Sequence, residues 1–320
     1  MPREPASRRT PSLGRLTSPA EAERFLNAAL SQQPSPWLTG SAGPLHVQAV
    51  TVLREHAGRW TLRYAVRQEG EERNLIAKVY SRDRSDVVDL LSALRDRGLG
   101  SGQPMQVPAP VAYLPDRRLL LMEEAPGLCA RAALRRGDAG TLERTARWLA
   151  AFQAAAPLPD TDRRRDPLQQ ARRWTRALSE NAPPLAGEAR HLLAALVDRQ
   201  PSGQPRHLVH GDFSVSHVYV AEETTTVIDW DSWEIGDGAE DAGRLIASLH
   251  HLAARHPERY AGAAGTFAGF YQEAVPLARE SLGFYAALSC LRTAKRLTAQ
   301  GVPHRTGYAQ TLLAAGLREL

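Results

Sequence analysis

Hydrophobic positions in the first third of the chain alternate with polar ones. Trp60, Leu62, Tyr64 and Val66 mark every second residue of 59–67, the period of a half-buried strand. Strands are also predicted at 46–54 and 73–80, with turns at His56-Ala57-Gly58 and Glu69-Gly70-Glu71. Ahead of them, Ser18-Pro19-Ala20-Glu21 combines an N-cap, a proline at the first helical position and an early glutamate. A helix is therefore expected to about Leu30, burying Phe25, Ala28 and Ala29. From Ser85 the period lengthens: apolar residues at 87, 88, 90, 91 and 94 predict a helix over 85–97. Val111-Ala112-Tyr113 leads into a hairpin whose second strand spans 118–122. Beyond it the pattern is helical. Thr141 is read as the cap of a helix carrying Leu142, Thr145, Trp148, Leu149 and Phe152, followed by helices at 166–179, 184–199, 237–256, 264–278, 281–298 and 305–320. One stretch interrupts the helices: short apolar pieces at 207–209, 218–220 and 226–228.

Composition narrows the class. A chain of 320 residues can bury a large core and form two lobes. Its formal charge of +5 invites a nucleic-acid partner. However, Lys78 and Lys295 are the only lysines, and the arginines are scattered among acids, so no binding stripe is expected. A lysine retained in an apolar strand of so arginine-rich a chain suggests a need for a compact ammonium at residue 78. Two cysteines, Cys129 and Cys290, form neither a disulfide framework nor a metal spacing. No apolar run reaches the ~20 residues of a membrane span. The basic, Pro/Ser-rich start lacks the apolar core of a secretory signal. A cytoplasmic protein with no membrane and no nucleic-acid partner is expected.

The chemistry concentrates at 207–231. Asp212 and Asp229 each follow an apolar piece, where a carboxylate can face a cleft. A turn at 221–224 would pair the second and third pieces and bring Asp229 back beside Asp212. Two converging carboxylates suit a hard metal ion, or one metal ligand and one general base. His250, His251 and His256 lack acidic or cysteine partners at ligand spacing and read as surface or core residues. Neither a Gly-x-Gly-x-x-Gly nor a Gly-Lys-Ser/Thr motif is present, which argues against a Walker-type NTPase.

His-Gly-Asp-Phe at 210–213, Ile-Asp-Trp at 228–230 and Gly-Asp-Gly-Ala-Glu-Asp at 236–241 resemble the aminoglycoside phosphotransferase and choline kinase-like family. The resemblance implies an α+β, protein-kinase-like two-lobe fold with a small antiparallel β-sheet N-lobe and a mostly helical C-lobe. Its divisions fall at 1–18 (a disordered basic arm), 19–122 (the small lobe), 123–127 (a hinge) and 128–320 (the helical lobe). It implies ATP and Mg²⁺ as cofactors and transfer of the γ-phosphate to a hydroxyl of a small molecule: a sugar, an aminoglycoside-like compound or an amino alcohol. Asp212 matches the catalytic base and Asp229 the metal ligand. Lys78 matches the phosphate-binding lysine, Asp241 a brace of the catalytic loop, and the backbone around Glu123 and Ala125 the adenine-binding hinge. His210 is expected to be a scaffold residue. Three positions depart from the family. His217 stands where the family has Asn in the metal shell, and Gln153 where it often has His. The 85–97 helix offers only Asp86 or Asp89 as partner for Lys78. The alternative reading is a catalytically impaired pseudokinase that binds nucleotide. An aminoglycoside acceptor would need an acidic pocket, for which Glu234, Asp237 and Glu240 are the candidates.

Overall fold

The computed structural model describes residues 16–31, 43–56, 59–161, 163–202, 205–275, 279–299 and 304–320. They form two compact units: the described parts of Met1–Gly102 with Gln106–Ala125, and Gln103–Met105 with Pro126–Leu320.

The first unit is built on a five-stranded antiparallel sheet. Its strands are β1 (His46–His56), β2 (Arg59–Gln68), β3 (Glu71–Val79), β4 (Pro110–Leu114) and β5 (Leu119–Glu123), in the order β1-β2-β3-β5-β4. Alternation decides which side chains are covered. Leu62, Tyr64 and Val66 of β2 and Leu75, Ala77 and Val79 of β3 are buried on one face, together with Leu26 and Leu30 of helix α1 (Pro19–Leu30). Asn27 fastens α1 to the start of β1, its side chain donating to the Leu45 carbonyl (2.8 Å) and accepting the Leu45 N–H (2.9 Å). Ala22, Leu26, Ala29 and Leu30 turn inward with Phe25 packed partly buried beside them, and of the expected buried residues only Ala28 is exposed. Residues 1–15 of the expected arm and the turn at 57–58 lie outside the described residues. Leu16, at the end of that arm, is buried, and its carbonyl accepts the Tyr64 hydroxyl.

Lys78 lies on β3 between Thr61 of β2 and Leu120 of β5. It is in the central strand, not at an edge, and alternates with the buried Ala77 and Val79. Its side chain therefore leaves the sheet on the face opposite the α1 core. Helix α2 (Ser85–Leu94) buries Val87, Leu90, Leu91 and Leu94 and ends three residues short of the prediction, where a wide turn takes over at Arg95. Asp86 of α2 accepts from the Arg84 guanidinium (2.7 and 3.2 Å), and Asp89 is exposed.

The second unit is mainly helical. Its helices include α3 (Ala130–Arg135), α4 (Thr141–Ala155), α5 (Pro167–Asn181), α6 (Ala186–Asp198), α7 (Ala239–Arg255), α8 (Ala263–Ala274), α9 (Arg279–Thr298) and α10 (His304–Glu319). Thr141 is the first helical residue of α4 rather than its cap, which is Gly140. Asp166 does cap α5, accepting the Gln169 N–H at 3.0 Å. Helices α7 and α9 approach so closely at Gly243 that a Cβ there would stand 2.4 Å from the Tyr285 carbonyl carbon. Among the described residues no helix is long and apolar enough to cross a membrane.

Candidate active site

Two short antiparallel pairs carry the site. Strand β6 (Arg206–Val209) pairs with β9 (Glu234–Asp237), and β7 (Val218–Val220) with β8 (Thr225–Val227) through the 221–224 turn, closed by Ala221 N–H to Thr224 O at 2.9 Å. The loop 210–217 between β6 and β7 holds Asp212 and is fixed at each turn. Gly211 has φ +80°, and a Cβ there would lie 2.0 Å from the Ser232 carbonyl oxygen, so only glycine fits. The Asp241 carboxylate, fully buried on α7, accepts the N–H groups of His210 (2.6 Å) and Gly211 (3.0 Å). Arg244, one turn on, donates to the Gly211 carbonyl and bonds Glu234 (3.2 Å) and Glu240 (3.1 Å). Arg165 takes the other oxygen of Glu234 at 3.0 Å.

Beneath the loop lies an aromatic cluster. Trp230 contacts His210 at 4.8 Å and Phe152 at 5.2 Å between ring centres, and Trp148 stacks on Phe152 and Phe213. His210 is fully buried. Its Nε2 lies 2.9 Å from the Ile228 carbonyl, and its Nδ1 accepts the Asp212 N–H at 3.2 Å, which assigns the neutral tautomer protonated at Nε2. Burial and the neighbouring His217 push His210 down to about 4. It is a scaffold group with both nitrogens committed.

Asp212 itself remains accessible. Its Oδ1 receives the Arg292 guanidinium at 3.1 Å. Burial alone would raise the Asp212 carboxyl, but Arg292, His217, His210 and Arg296 outweigh it and hold it below the usual carboxylate value, so it is ionised at neutral pH. Arg292 is in turn lowered to about 10, first by burial and then by Arg244, and stays protonated.

Asp229 follows β8 in the left-handed region (φ +71°, ψ +54°), a conformation Asp tolerates better than most residues and one that clusters at functional sites. The hairpin brings it beside His217, with Ile228 N–H to His217 O at 2.9 Å and His217 Nε2 to Asp229 Oδ2 at 3.4 Å. His217 Nδ1 faces the Asp212 carbonyl at 2.8 Å and donates to it, which leaves Nε2 turned to Asp229, where it donates to the carboxylate when protonated and can ligate a cation when it is not. An imidazole lone pair beside a carboxylate is a donor set suited to a divalent cation. Among the described residues no cluster of three or more His, Cys, Asp or Glu side chains could hold a metal, so further ligands would have to be phosphate oxygens or water.

Gln153 donates to the Gly238 carbonyl (2.5 Å) and accepts the Tyr271 hydroxyl (3.0 Å), tying α4 to the start of α7. Asp237 accepts the Ala239 N–H (2.8 Å) and Glu240 the Asp237 N–H (3.1 Å), a capping pair for α7. Glu234 and Glu240 are thus held by arginines, while Asp237 caps α7 through one oxygen and faces a cavity of about 300 Å³ beside His207 and Tyr271, so the three share no acidic pocket. His250 bonds Glu319 at 2.6 Å and His256 stands 3.9 Å from Glu258, with no shared metal geometry. In the first unit, the Glu123 N–H donates to the Ala109 carbonyl and the Glu124 N–H to the Asn74 carbonyl.

One feature escaped the sequence reading. Asp212 opens into a cavity of about 310 Å³ lined by Arg131, Arg244, Arg292, Arg296 and Arg305. On α9, residues 289, 292, 293, 296 and 297 share one face, and on α7 residues 244, 248 and 251 do so. Those spacings are visible in the sequence once the direction each helix faces is known.

An antiparallel sheet unit, a helical unit and a braced His-Gly-Asp loop define a kinase-like phosphotransferase. The profile of the phosphotransferase enzyme family (APH) matches residues 52–280, and the chain belongs to that family. No curated protein matches by sequence. Solved structures share the fold. One is a thermostable mutant of aminoglycoside phosphotransferase APH(4)-Ia in ternary complex with ADP and hygromycin B, at 17% identity over 93% of this chain and 98% of that one, TM-score 0.62. A choline/ethanolamine kinase family protein from Mesorhizobium loti matches at 16% identity over 92% and 94%, TM-score 0.57. Amicoumacin kinase hAmiN, in complex with AMP-PNP, Ca²⁺ and Ami, matches at 14% over 83% and 87%, TM-score 0.55. The protein is a small-molecule kinase or phosphotransferase by family.

Proposed function

We propose that the protein moves the γ-phosphoryl group of ATP to a hydroxyl of a small molecule, with Asp212 as general base. The observation that carries this reading is the Asp212 carboxylate, ionised, half-exposed and set by a fully braced loop at the mouth of a cavity. As the acceptor oxygen bonds to phosphorus, the bond to the β-phosphate oxygen breaks, ADP leaves and the hydroxyl proton passes to Asp212. The transition state is loose and highly charged, so orientation and charge supply most of the rate enhancement. Asp212 orients the hydroxyl and takes its proton late, which a depressed carboxyl can do. Lys78 contacts the nucleotide phosphates, and the backbone at Glu123 and Ala125 meets the adenine. Asp229, with His217 beside it, would hold Mg²⁺, which would supply neutralisation of phosphate charge. Relatives crystallised with ADP, AMP-PNP or Ca²⁺ support nucleotide and divalent-cation use.

His217 favours a second reading, a nucleotide-binding module with impaired turnover, because Mg²⁺ prefers oxygen ligands. Coupled measurement of ADP release separates the two. The enzyme reading expects release that requires both acceptor and divalent cation. An ADP-induced rise in melting temperature with no release on any acceptor would select the pseudokinase.

A further inference from the structure

We propose that the acceptor hydroxyl compound carries an oxyanion of its own, a carboxylate or a phosphate, bound by Arg131, Arg292, Arg296 and Arg305 beside Asp212. The proposal rests on the phosphotransfer reading and names its substrate class. The cavity has five arginines and a single carboxylate on its wall. Arg244 is neutralised by Glu234 and Glu240, and Arg292 shares its charge with Asp212. Among the described residues no carboxylate stands within ion-pair distance of Arg131, Arg296 or Arg305. Their charges thus converge on a space the size of a small molecule, where among the described residues the Asp212 carboxylate, already paired with Arg292, is the single acid on the wall. They come from separate elements, α3, α9 and α10, so the convergence belongs to the tertiary structure rather than to a run of arginines in the sequence.

The surrounding chemistry agrees. The hydroxyls of Ser248 and Ser289 add neutral polar groups to the same wall, and Thr293, whose hydroxyl donates to the Ser289 carbonyl, keeps acceptor capacity there for a polyol. His251, also on the wall, is held near 4 by burial and by Arg255, Arg296 and Arg305, as expected where the local field is cationic. None of Glu234, Asp237 and Glu240 lines this cavity: Glu234 and Glu240 pair with arginines, and Asp237 accepts from the α7 end and faces a separate cavity of about 300 Å³. A cationic acceptor would meet five arginines against one carboxylate, whereas an anion would be drawn in and oriented. Arg292 gains a second role here. It lies against the base, so an anion that it also grips is registered against Asp212, placing a hydroxyl a few atoms away within reach of that carboxylate.

The test compares matched acceptors in an ADP-release assay with ATP and Mg²⁺: hydroxy acids against their amides, sugar phosphates against their parent sugars, and polycationic aminosugars. The anionic member of a pair should show kcat/KM roughly tenfold to a hundredfold above its neutral partner, the scale of one or two charge-assisted contacts. Which pair responds tells carboxylate from phosphate. Arg296→Gln and, on another helix, Arg131→Gln should each raise KM for the anionic acceptor and shrink that selectivity. Equal or better use of the neutral or cationic compounds would overturn the proposal. Should no acceptor be consumed, inorganic phosphate and citrate are titrated calorimetrically with saturating ADP and Mg²⁺ present. Saturable binding weakened about tenfold or more in the two variants keeps the anion site while counting against phosphotransfer. Absent binding, or binding the variants do not alter, removes the anion site itself.

Discussion

At the scale of single residues, the site is held by groups that allow few substitutes. Gly211 has both a positive φ and a carbonyl oxygen where a Cβ would stand. Gly211→Ala should therefore cost about 3 kcal/mol or more through strain and displacement of the 230–232 turn, read as a lower midpoint in urea. Asp241 satisfies two backbone N–H groups and sits in the field of Arg244. Asp241→Ala would strand both donors and unbalance a buried cation, and a loss of about 3 kcal/mol or more is expected in the same measurement. His217 concerns chemistry rather than stability. Its Nε2 faces Asp229, and imidazole suits Mn²⁺ better than Mg²⁺ in relative terms. His217→Asn should lower the ratio of Mn²⁺-supported to Mg²⁺-supported turnover. An unchanged ratio in a metal titration would place His217 outside the metal shell.

At the scale of elements, the helices α7 and α9 turn cationic and polar faces to the cavity, and they meet backbone to backbone at Gly243. His251 on α7 reports that environment. Burial first, then Arg255, Arg296 and Arg305, lower it from 6.5 to about 4. Between those values the unfolded chain binds more protons than the folded one, so this group lowers stability as pH falls from 6.5 to 4 and contributes no slope above that window. His251→Gln should flatten the fall of the urea midpoint over that range; parallel curves for variant and parent would contradict the assignment. The strands were legible because Leu62, Tyr64 and Val66 repeat at period two. The 221–224 turn was legible from its composition, and His-Gly-Asp and Ile-Asp-Trp from their flanking strands. The arginine wall was not legible. Arg292 and Arg296 look like surface charges on an Ala/Leu-rich helix until α7 and α10 show which face is inward. For the same reason Glu234 and Glu240 suggested an acidic pocket, although Arg165 and Arg244 consume them.

At the scale of the whole molecule, two units contribute different things: a sheet whose central strand presents Lys78 away from its core, and a helical unit that braces Asp212 at a cavity. The family and the fold follow from the chain as a whole. Transfer of phosphate to any acceptor depends first on the base. The direct measurement is ADP release by Asp212→Asn beside the parent protein, with ADP and Mg²⁺ binding followed in both by thermal shift. Turnover is expected to fall by ~10²–10⁴-fold, the range for loss of a positioned general base, with nucleotide-induced stabilisation retained. Full turnover by Asp212→Asn would contradict that assignment.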